Sequence, residues 1–241
     1  HFEVHLADTE ESKKIHYSIR YQVYCEEMGF ENEDDFPLQM EYDDNDTKSI
    51  HFIVRNKITN QWVGAMRLIN KLDGLLPIEQ SCSINEVINT NGLSGTVEMS
   101  RLCLIKDARR GIKDIDPPLG IVDESNSLSE SDKVKNITNQ HKLNRLIMWG
   151  LFRAAALYCY RNNMQYCYFM TTSILAKVLK RGGLNLIGIG DPCLHRGERF
   201  PFKLDAIAVF HSEIWQGDYN IGYQLYSRRE GRKYFKLAVA A

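Results

Sequence analysis

Four groups of polar residues in this 241-residue chain have types and spacings that could do chemistry. The first is Arg20, Tyr24 and Phe30. The second is Glu41-x-Asp43-x-x-Asp46, the third Gly64-Ala65-Met66-Arg67, and the fourth Glu98-Met99-Ser100-Arg101. Arg67, Glu98 and Arg101 sit in otherwise apolar stretches, where a charged side chain is almost never fully buried unless paired. The carboxylates of 41–46 and Glu98 are the available partners for the two arginines. This predicts a charge network lining a cleft; a purely structural network is the alternative. Taken alone, Arg20 reads as a solvated helix residue and the run at 41–46 as a surface loop. That run lacks the central glycine and terminal glutamate of a calcium loop, and no metal is expected. Cys25 has no evident base partner and reads as structural.

The elements that must hold these groups follow from periodicity. Phe2 to Leu6 alternates apolar and polar residues as a short strand does. Asp8 with Glu11 forms a capping box opening a helix that carries Ile15, Ile19 and Val23 on one face. Gly29 stops it, and residues 31–48 read as an acidic loop. Ser49 to Arg55 and Trp62 to Ile69 form a hairpin. Thr96 to Leu104 is a strand whose alternation puts Val97, Met99, Arg101 and Cys103 on one face and Glu98, Ser100, Leu102 and Leu104 on the other. His141 to Asn162 is a helix, Gln165 to Thr171 a buried strand, and Ser173 to Lys180 a helix stopped by Gly182-Gly183. Leu184 to Ile189 and Leu204 to Phe210 read as strands, and Tyr223 to Phe235 as a last helix. Hairpin strands followed by helix–strand alternation give an α/β (α+β) domain over 1–241, a mixed sheet with helices on both faces. It is interrupted by a polar insertion at about 106–140, whose stretch from Asp123 to Lys135 has the composition of disorder.

Composition bounds the function. Lysine and arginine total 30 against 31 acidic residues, a net charge of −1, which argues against a nucleic-acid partner. The longest apolar run, Leu146 to Tyr160, is broken by Arg153 and too short to span a bilayer. Residues 1–5 lack a signal-peptide layout. The six cysteines form no C-x-x-C pair, and three lie in apolar stretches. They read as thiols of a reducing cytoplasm rather than a disulfide framework. The seven histidines are scattered, without zinc-ligand spacing.

Taken in order, Arg20-x-x-x-Tyr24, Phe30, Glu41-x-Asp43-x-x-Asp46, Gly64-x-x-Arg67 and Glu98-x-Ser100-Arg101 resemble the acyl-homoserine-lactone (autoinducer) synthases of the GNAT-like N-acyltransferase fold. The resemblance covers roughly the first 105 residues. Beyond it the chain looks closer to the long-chain N-acyl amino acid synthases and exosortase-associated acyltransferases. The similar stretches are Glu98 through Arg109-Arg110, the Ala-rich Leu151 to Ala156, and Ile187-Gly188-Ile189-Gly190-Asp191-Pro192. Tyr24 and Phe30 stand where autoinducer synthases commonly carry phenylalanine and tryptophan. Ala108 and Lys113 around Gly111 depart from the superfamily's Gln/Arg-x-x-Gly-x-Gly/Ala loop for coenzyme A.

The resemblance implies direct transfer of an acyl group, long-chain by the family pattern, from an acyl carrier protein or coenzyme A thioester to the amine of a small metabolite such as an amino acid. No cofactor is implied beyond that co-substrate. Glu98 is the implied general base, acting through water. Ser100 and Arg101 complete the catalytic strand, with backbone N–H groups after Ser100 holding the oxyanion. Arg20, Tyr24, Phe30, Glu41, Asp43, Asp46 and Arg67 would shape the amine side, and Lys106, Arg109, Arg110 and Lys113 would dock the donor. An acyl-homoserine-lactone synthase, a coenzyme-A-dependent acetyltransferase and a non-catalytic fatty-acyl binding module are the alternatives.

Overall fold

The computed structural model describes residues 2–72, 74–88, 95–109, 147–215 and 222–229. β1 (Phe2–Leu6) leads into α1 (Glu10–Tyr21), which continues as a π-helical segment over Gln22–Glu27. Two 3₁₀ turns, Glu33–Asp35 and Asp44–Lys48, punctuate the acidic loop. β2 (Ser49–Asn56), β3 (Trp62–Asn70), α2 (Pro77–Ser81), β4 (Gly95–Leu104) and α3 (Lys106–Arg109) follow. After 110–146, which lies outside the described residues, α4 occupies 147–161. The chain closes with β5 (Met164–Thr171), α5 (Ser173–Arg181), β6 (Ile187–Gly188), β7 (Cys193–Leu194), β8 (Glu198–Asp205), α6 (Ala206–Phe210) and β9 (Gln224–Leu225). The sheet runs β6-β8-β5-β4-β3-β2-β1-β9, with β7 paired to β8. Among its neighbours, only β4–β5 and β1–β9 are parallel.

The apolar faces of β2 to β5 meet α1, α4 and α5 in one core that includes Phe52, Met66, Leu151, Phe169 and Leu179. A second, smaller cluster joins Ile69, Leu76, Ile78, Tyr168 and Ile189 beneath α2. Among the described residues no helix is long and apolar enough to cross a membrane.

Two features of β4 make the cleft. Its pairing with β5 ends at Glu98↔Tyr168, although β4 runs on to Leu104 and β5 to Thr171. Against β3 the register shifts by one residue between Ala65↔Cys103 and Arg67↔Ser100. Arg101, at this bulge, holds a positive φ of 54°. An extra residue in one strand bends it and breaks the two-residue alternation. The expected single-face set of Met99, Arg101 and Cys103 therefore fails: Ser100 and Arg101 both reach the charged groups of β3 and the acidic loop.

Other expectations need correction. Thr9 and Ser12 form the capping box of α1, because Asp8 instead accepts hydrogen bonds from the backbone N–H and Oγ of Ser227, at 2.9 and 2.5 Å. The strand expected at 184–189 is only Ile187–Gly188. The one expected at 204–210 is β8, ending at Asp205, whose carboxylate accepts from Ala208 N (2.9 Å) and starts α6. Residues 224–225 extend beside β1 and 226–229 are helical; 230–235 lie outside the described residues. So does the polar insertion, apart from 106–109.

The cysteines are not all thiols. Cys82 and Cys193 form a disulfide with Cα atoms 5.2 Å apart, 111 residues apart in sequence. What brings them together is backbone that sequence periodicity does not report. Ile84 bridges Gly190, Asp191 N–H donates to Ser83 O at 3.2 Å, and a Cβ on Gly190 would overlap that same carbonyl. Cys25, Cys103, Cys159 and Cys167 are buried and free. Alkylation of unreduced, denatured protein should label four of the six cysteines, with labelling of 82 and 193 requiring a reductant. Cys193→Ser should lower unfolding free energy by about 2–5 kcal/mol; equal labelling of all six without reductant would overturn the pairing.

Candidate active site

The charged groups assemble from four separate elements. Arg20, fully buried on α1, donates from Nε to Glu41 Oε2 and from Nη1 to Asp46 Oδ1 at 2.6 Å. Arg67, buried on β3, donates from Nη1 to Asp43 Oδ1 at 2.6 Å and from Nη2 to Asp43 Oδ2 at 3.0 Å. Its Nε donates to Ser100 Oγ at 3.1 Å. Arg101 on β4 reaches Glu41 Oε1 and Asp43 Oδ2, both at 3.0 Å from Nη2. Asp46 also meets His51 Nε2 at 2.9 Å. Burial works against ionising Glu41 and Asp46. Arg20 and Arg101 nevertheless hold Glu41 low, and His51, Arg20 and Arg67 hold Asp46 far below its usual range. Desolvation keeps His51 low despite Asp46, so the imidazole is neutral at pH 7. Three guanidinium groups thus face three carboxylates.

In front of this network lies a cleft. It is lined by Glu98 to Leu102 from β4, Phe169 to Thr171 from β5, Phe152 and Leu175 from α4 and α5, Tyr24 and Phe30, and His195, Arg196 and Arg199. The π-helical segment brings Tyr24 here. Its carbonyl accepts from Phe30 N (2.7 Å) and Glu31 N (3.2 Å), folding the chain back so that the Tyr24 and Phe30 rings stack with centroids 6.3 Å apart. The Arg101 guanidinium lies 5.5 Å from the Tyr24 ring centroid.

Glu98 lies in the cleft wall at 1% exposure. Its Oε2 accepts from Ile78 N–H at 2.9 Å, taking up one of the unpaired amides at the start of α2. Leu76, at the cap position, has no side-chain oxygen to do so. Burial pushes the Glu98 carboxyl up to about 8, a rise that the Ile78 bond and the charges of Arg67 and Arg101 only moderate. Two carboxylate classes therefore coexist here. Glu41 and Asp46 are fixed anions, and Glu98 exchanges its proton near neutrality, as a general base requires.

Of the sequence-predicted residues, Tyr24, Phe30, Glu98, Ser100 and Arg101 line the cleft. Arg20, Glu41, Asp43, Asp46 and Arg67 do not line it; they form the ion network joined to it through Ser100 and Arg101, with Asp43 partly exposed. Lys106 is exposed at the start of α3, where its backbone N–H donates to Glu27 Oε1 at 2.9 Å. Arg109 ends α3; Arg110 and Lys113 lie outside the described residues. Sequence reasoning missed Phe169, Met170 and Thr171, and also His195, Arg196 and Arg199. The signal for the last three was three basic side chains within five residues around Gly197, in a turn between strands, where binding groups concentrate.

Residues 19–113 match the model of the acetyltransferase (GNAT) domain family. The chain has the GNAT fold. BjaI, a CoA-dependent acyl-homoserine lactone synthase, superposes with a TM-score of 0.57 at 14% identity, over 90% of this chain and 92% of that one. TofI gives 0.54 at 16% identity, over 86% and 92%. FeeM, an N-acyl amino acid synthase from uncultured soil microbes, gives 0.50 at 12% identity, over 86% and 91%. No curated protein matches the chain. In this GNAT fold the splay of β4 from β5 holds the cleft open, and the buried ion network braces its β3–β4 wall.

Removing one partner from a buried ion pair strands the other charge, a loss of roughly 3–5 kcal/mol. Glu41→Gln and Asp46→Asn should each lower urea-unfolding free energy at pH 7 by that amount. Both carboxyl groups titrate below their unfolded values, so their stabilisation is present above about pH 4.5 and lost as pH falls. The deficit of each variant should therefore shrink in acid. A loss below 1 kcal/mol at pH 7 would show that the pairs do not brace the wall.

Proposed function

We propose that this protein is an N-acyltransferase that moves an acyl group from a thioester to the amine of a small metabolite such as an amino acid. One observation carries the reading: Glu98, a carboxyl at 1% exposure whose hydrogen-bond donor is the Ile78 backbone N–H and which burial raises well above the usual carboxylate range, lines the cleft formed where β4 leaves β5. Further support comes from the GNAT domain match and from the likeness in fold to BjaI, TofI and FeeM.

In this reading the thioester enters the splay between β4 and β5, and the amine approaches past Tyr24 and Phe30. Glu98, through water, takes a proton from the attacking amine. The nitrogen bonds to the carbonyl carbon, and the tetrahedral oxyanion is held by backbone N–H groups after Ser100. The carbon–sulfur bond breaks as the leaving sulfur receives, through water, the proton that Glu98 took from the amine, so that a thiol departs and Glu98 is again a carboxylate. Arg101 and the Arg67–Ser100 hydrogen bond hold the strand in place for these steps. Positioning two substrates contributes roughly 7–11 kcal/mol and a general base about 10²–10⁴-fold, so positioning lowers the barrier more than proton transfer does. Cys25 and Cys103 take no covalent part, since burial pushes their thiols up to about 11 and about 12.

The donor we assign is a long-chain thioester of acyl carrier protein or coenzyme A. The apolar side chains of Phe152, Phe169 and Leu175 in the cleft suit an acyl chain. The basic run Lys106, Arg109, Arg110 and Lys113 suits an acidic carrier or a pantetheine phosphate. The setting we assign is the cytoplasm, on the ground of the thioester donor and not of the cysteines. BjaI was solved with SAM and isopentyl-CoA, and an acyl-homoserine-lactone synthase is the second reading. Against it, Tyr24 and Phe30 replace the phenylalanine and tryptophan of those enzymes.

Mass spectrometry of lipid extracts from cells expressing the chain should reveal a new N-acyl amino acid. An acyl-homoserine lactone would favour the second reading, and no new lipid would count against both. With purified enzyme, kcat/KM should rise with pH and reach half its maximum near 8, because the carboxylate and not the acid accepts the proton. Glu98→Gln should slow transfer about 10²-fold or more without abolishing it and should erase that inflection. A variant with full rate at neutral pH would remove Glu98 from the role of base.

A further inference from the structure

We propose that Arg199 is the specificity-determining residue of the cleft, binding the carboxylate of the amine acceptor. The proposal deepens the acyltransferase reading and rests on it. Arg199 stands at the start of β8, where its neighbour Phe200 pairs with Thr171 of β5. It is half-buried and lines the same cavity as Glu98 and Ser100. Its guanidinium makes two hydrogen bonds, both to carbonyls of its own turn: Nη1 to Glu198 O at 3.0 Å and Nη2 to Arg196 O at 2.6 Å.

The other two arginines lining the cleft have counter-ions. Arg101 pairs with Glu41 and Asp43, and Arg196 with Glu31. Among the described residues no carboxylate pairs with Arg199. The neighbouring His195 cannot serve as a counter-ion, since an imidazole is neutral or cationic; burial and the nearby Arg101 and Arg199 favour its neutral form, and its Nε2 lies 2.9 Å from Arg196 Nη1. Burial without a counter-ion also lowers the Arg199 guanidinium from its usual value. A desolvated cation facing a cavity is completed by an anionic group of the ligand, and a planar guanidinium matches a carboxylate. The acceptor supplies that group more naturally than the donor. In an α-amino acid the carboxylate lies two bonds from the attacking nitrogen, and so close to Glu98. The donor's phosphate lies at the far end of the pantetheine arm from its sulfur.

The test uses palmitoyl-coenzyme A and palmitoyl-acyl carrier protein in turn as donors, with the twenty L-amino acids and their α-carboxamides as acceptors, following thiol release and acylated product. For its best acceptor the parent should favour the acid over the amide by roughly 10–150-fold in kcat/KM, the range of a charge-assisted hydrogen bond. Arg199→Gln should bring that ratio near one by lowering kcat/KM for the acid far more than for the amide, with no rise in the donor KM, and Arg199→Lys should recover part of the ratio. The best acid should also raise the Tm of the parent and not of Arg199→Gln, a readout independent of turnover. Equal loss of acid and amide, or a raised donor KM alone, would overturn the assignment and leave Arg199 to the fold or to the donor phosphate. A parent that acylates amides as well as acids would overturn it while keeping the acyltransferase reading. A parent that acylates nothing would instead remove that reading.

Discussion

Three arginines and three carboxylates, drawn from α1, the acidic loop, β3 and β4, meet in a space from which water is largely excluded. Each ion there would be costly alone, by several kcal/mol, so none can leave without penalising the rest. This constraint ties the acidic loop to the sheet. Asp43 spans Arg67 and Arg101, Glu41 spans Arg20 and Arg101, and Asp46 spans Arg20 and Arg67. Arg101 joins the network only because the bulge in β4 turns it toward the loop. The same bulge lies just beyond the point where β4 parts from β5. Wall and opening are therefore two consequences of one irregular strand.

The network also explains how the cleft supports two kinds of carboxyl group a short stretch of chain apart. Glu41 and Asp46 sit among guanidinium groups and stay ionised. Glu98 lies beside α2 and the apolar Ile69–Tyr168 cluster, where its nearest polar partner is a single backbone amide. With the arginines committed to the acidic loop, too little positive charge reaches Glu98 to overcome its desolvation. A network whose arginines are paired with the acidic loop is thus what leaves Glu98 able to exchange its proton.

Much of this was legible in the residues themselves. Charged side chains in apolar strands announced a network, and acidic spacing at 41, 43 and 46 supplied its partners; β1 to β5 and α5 followed from period-two and period-3.6 patterns within a residue or two. What stayed hidden has identifiable causes. The bulge at Arg101 leaves no mark on alternation, because arginine, unlike glycine, does not signal a positive φ. The α2 segment is five residues long, too short for periodicity. β8 was misplaced because Pro201 argues against a strand interior, yet it pairs with Met170 there and offers its carbonyl to Ile189. The Cys82–Cys193 pair depends on Gly190 approaching Ser83, a tertiary contact that no local pattern encodes.

The late turn from His195 to Arg199 shows the limit most sharply. Its residues are 90 or more positions from Ser100 and from the helix that carries Tyr24, so their membership of the cleft is a consequence of topology alone. β8 lies antiparallel to β5, and that order puts its first residues at the same sheet edge as the last residues of β5, where the splay opens. The early elements supply paired charges that hold the wall rigid. The late turn supplies Arg199, which pairs with none of them. In a binding cleft the rigid, charge-paired part sets shape, and a cation held by backbone carbonyls but without a counter-ion favours an anionic group on whatever binds. That division assigns position to the first half of the chain and selectivity to the second.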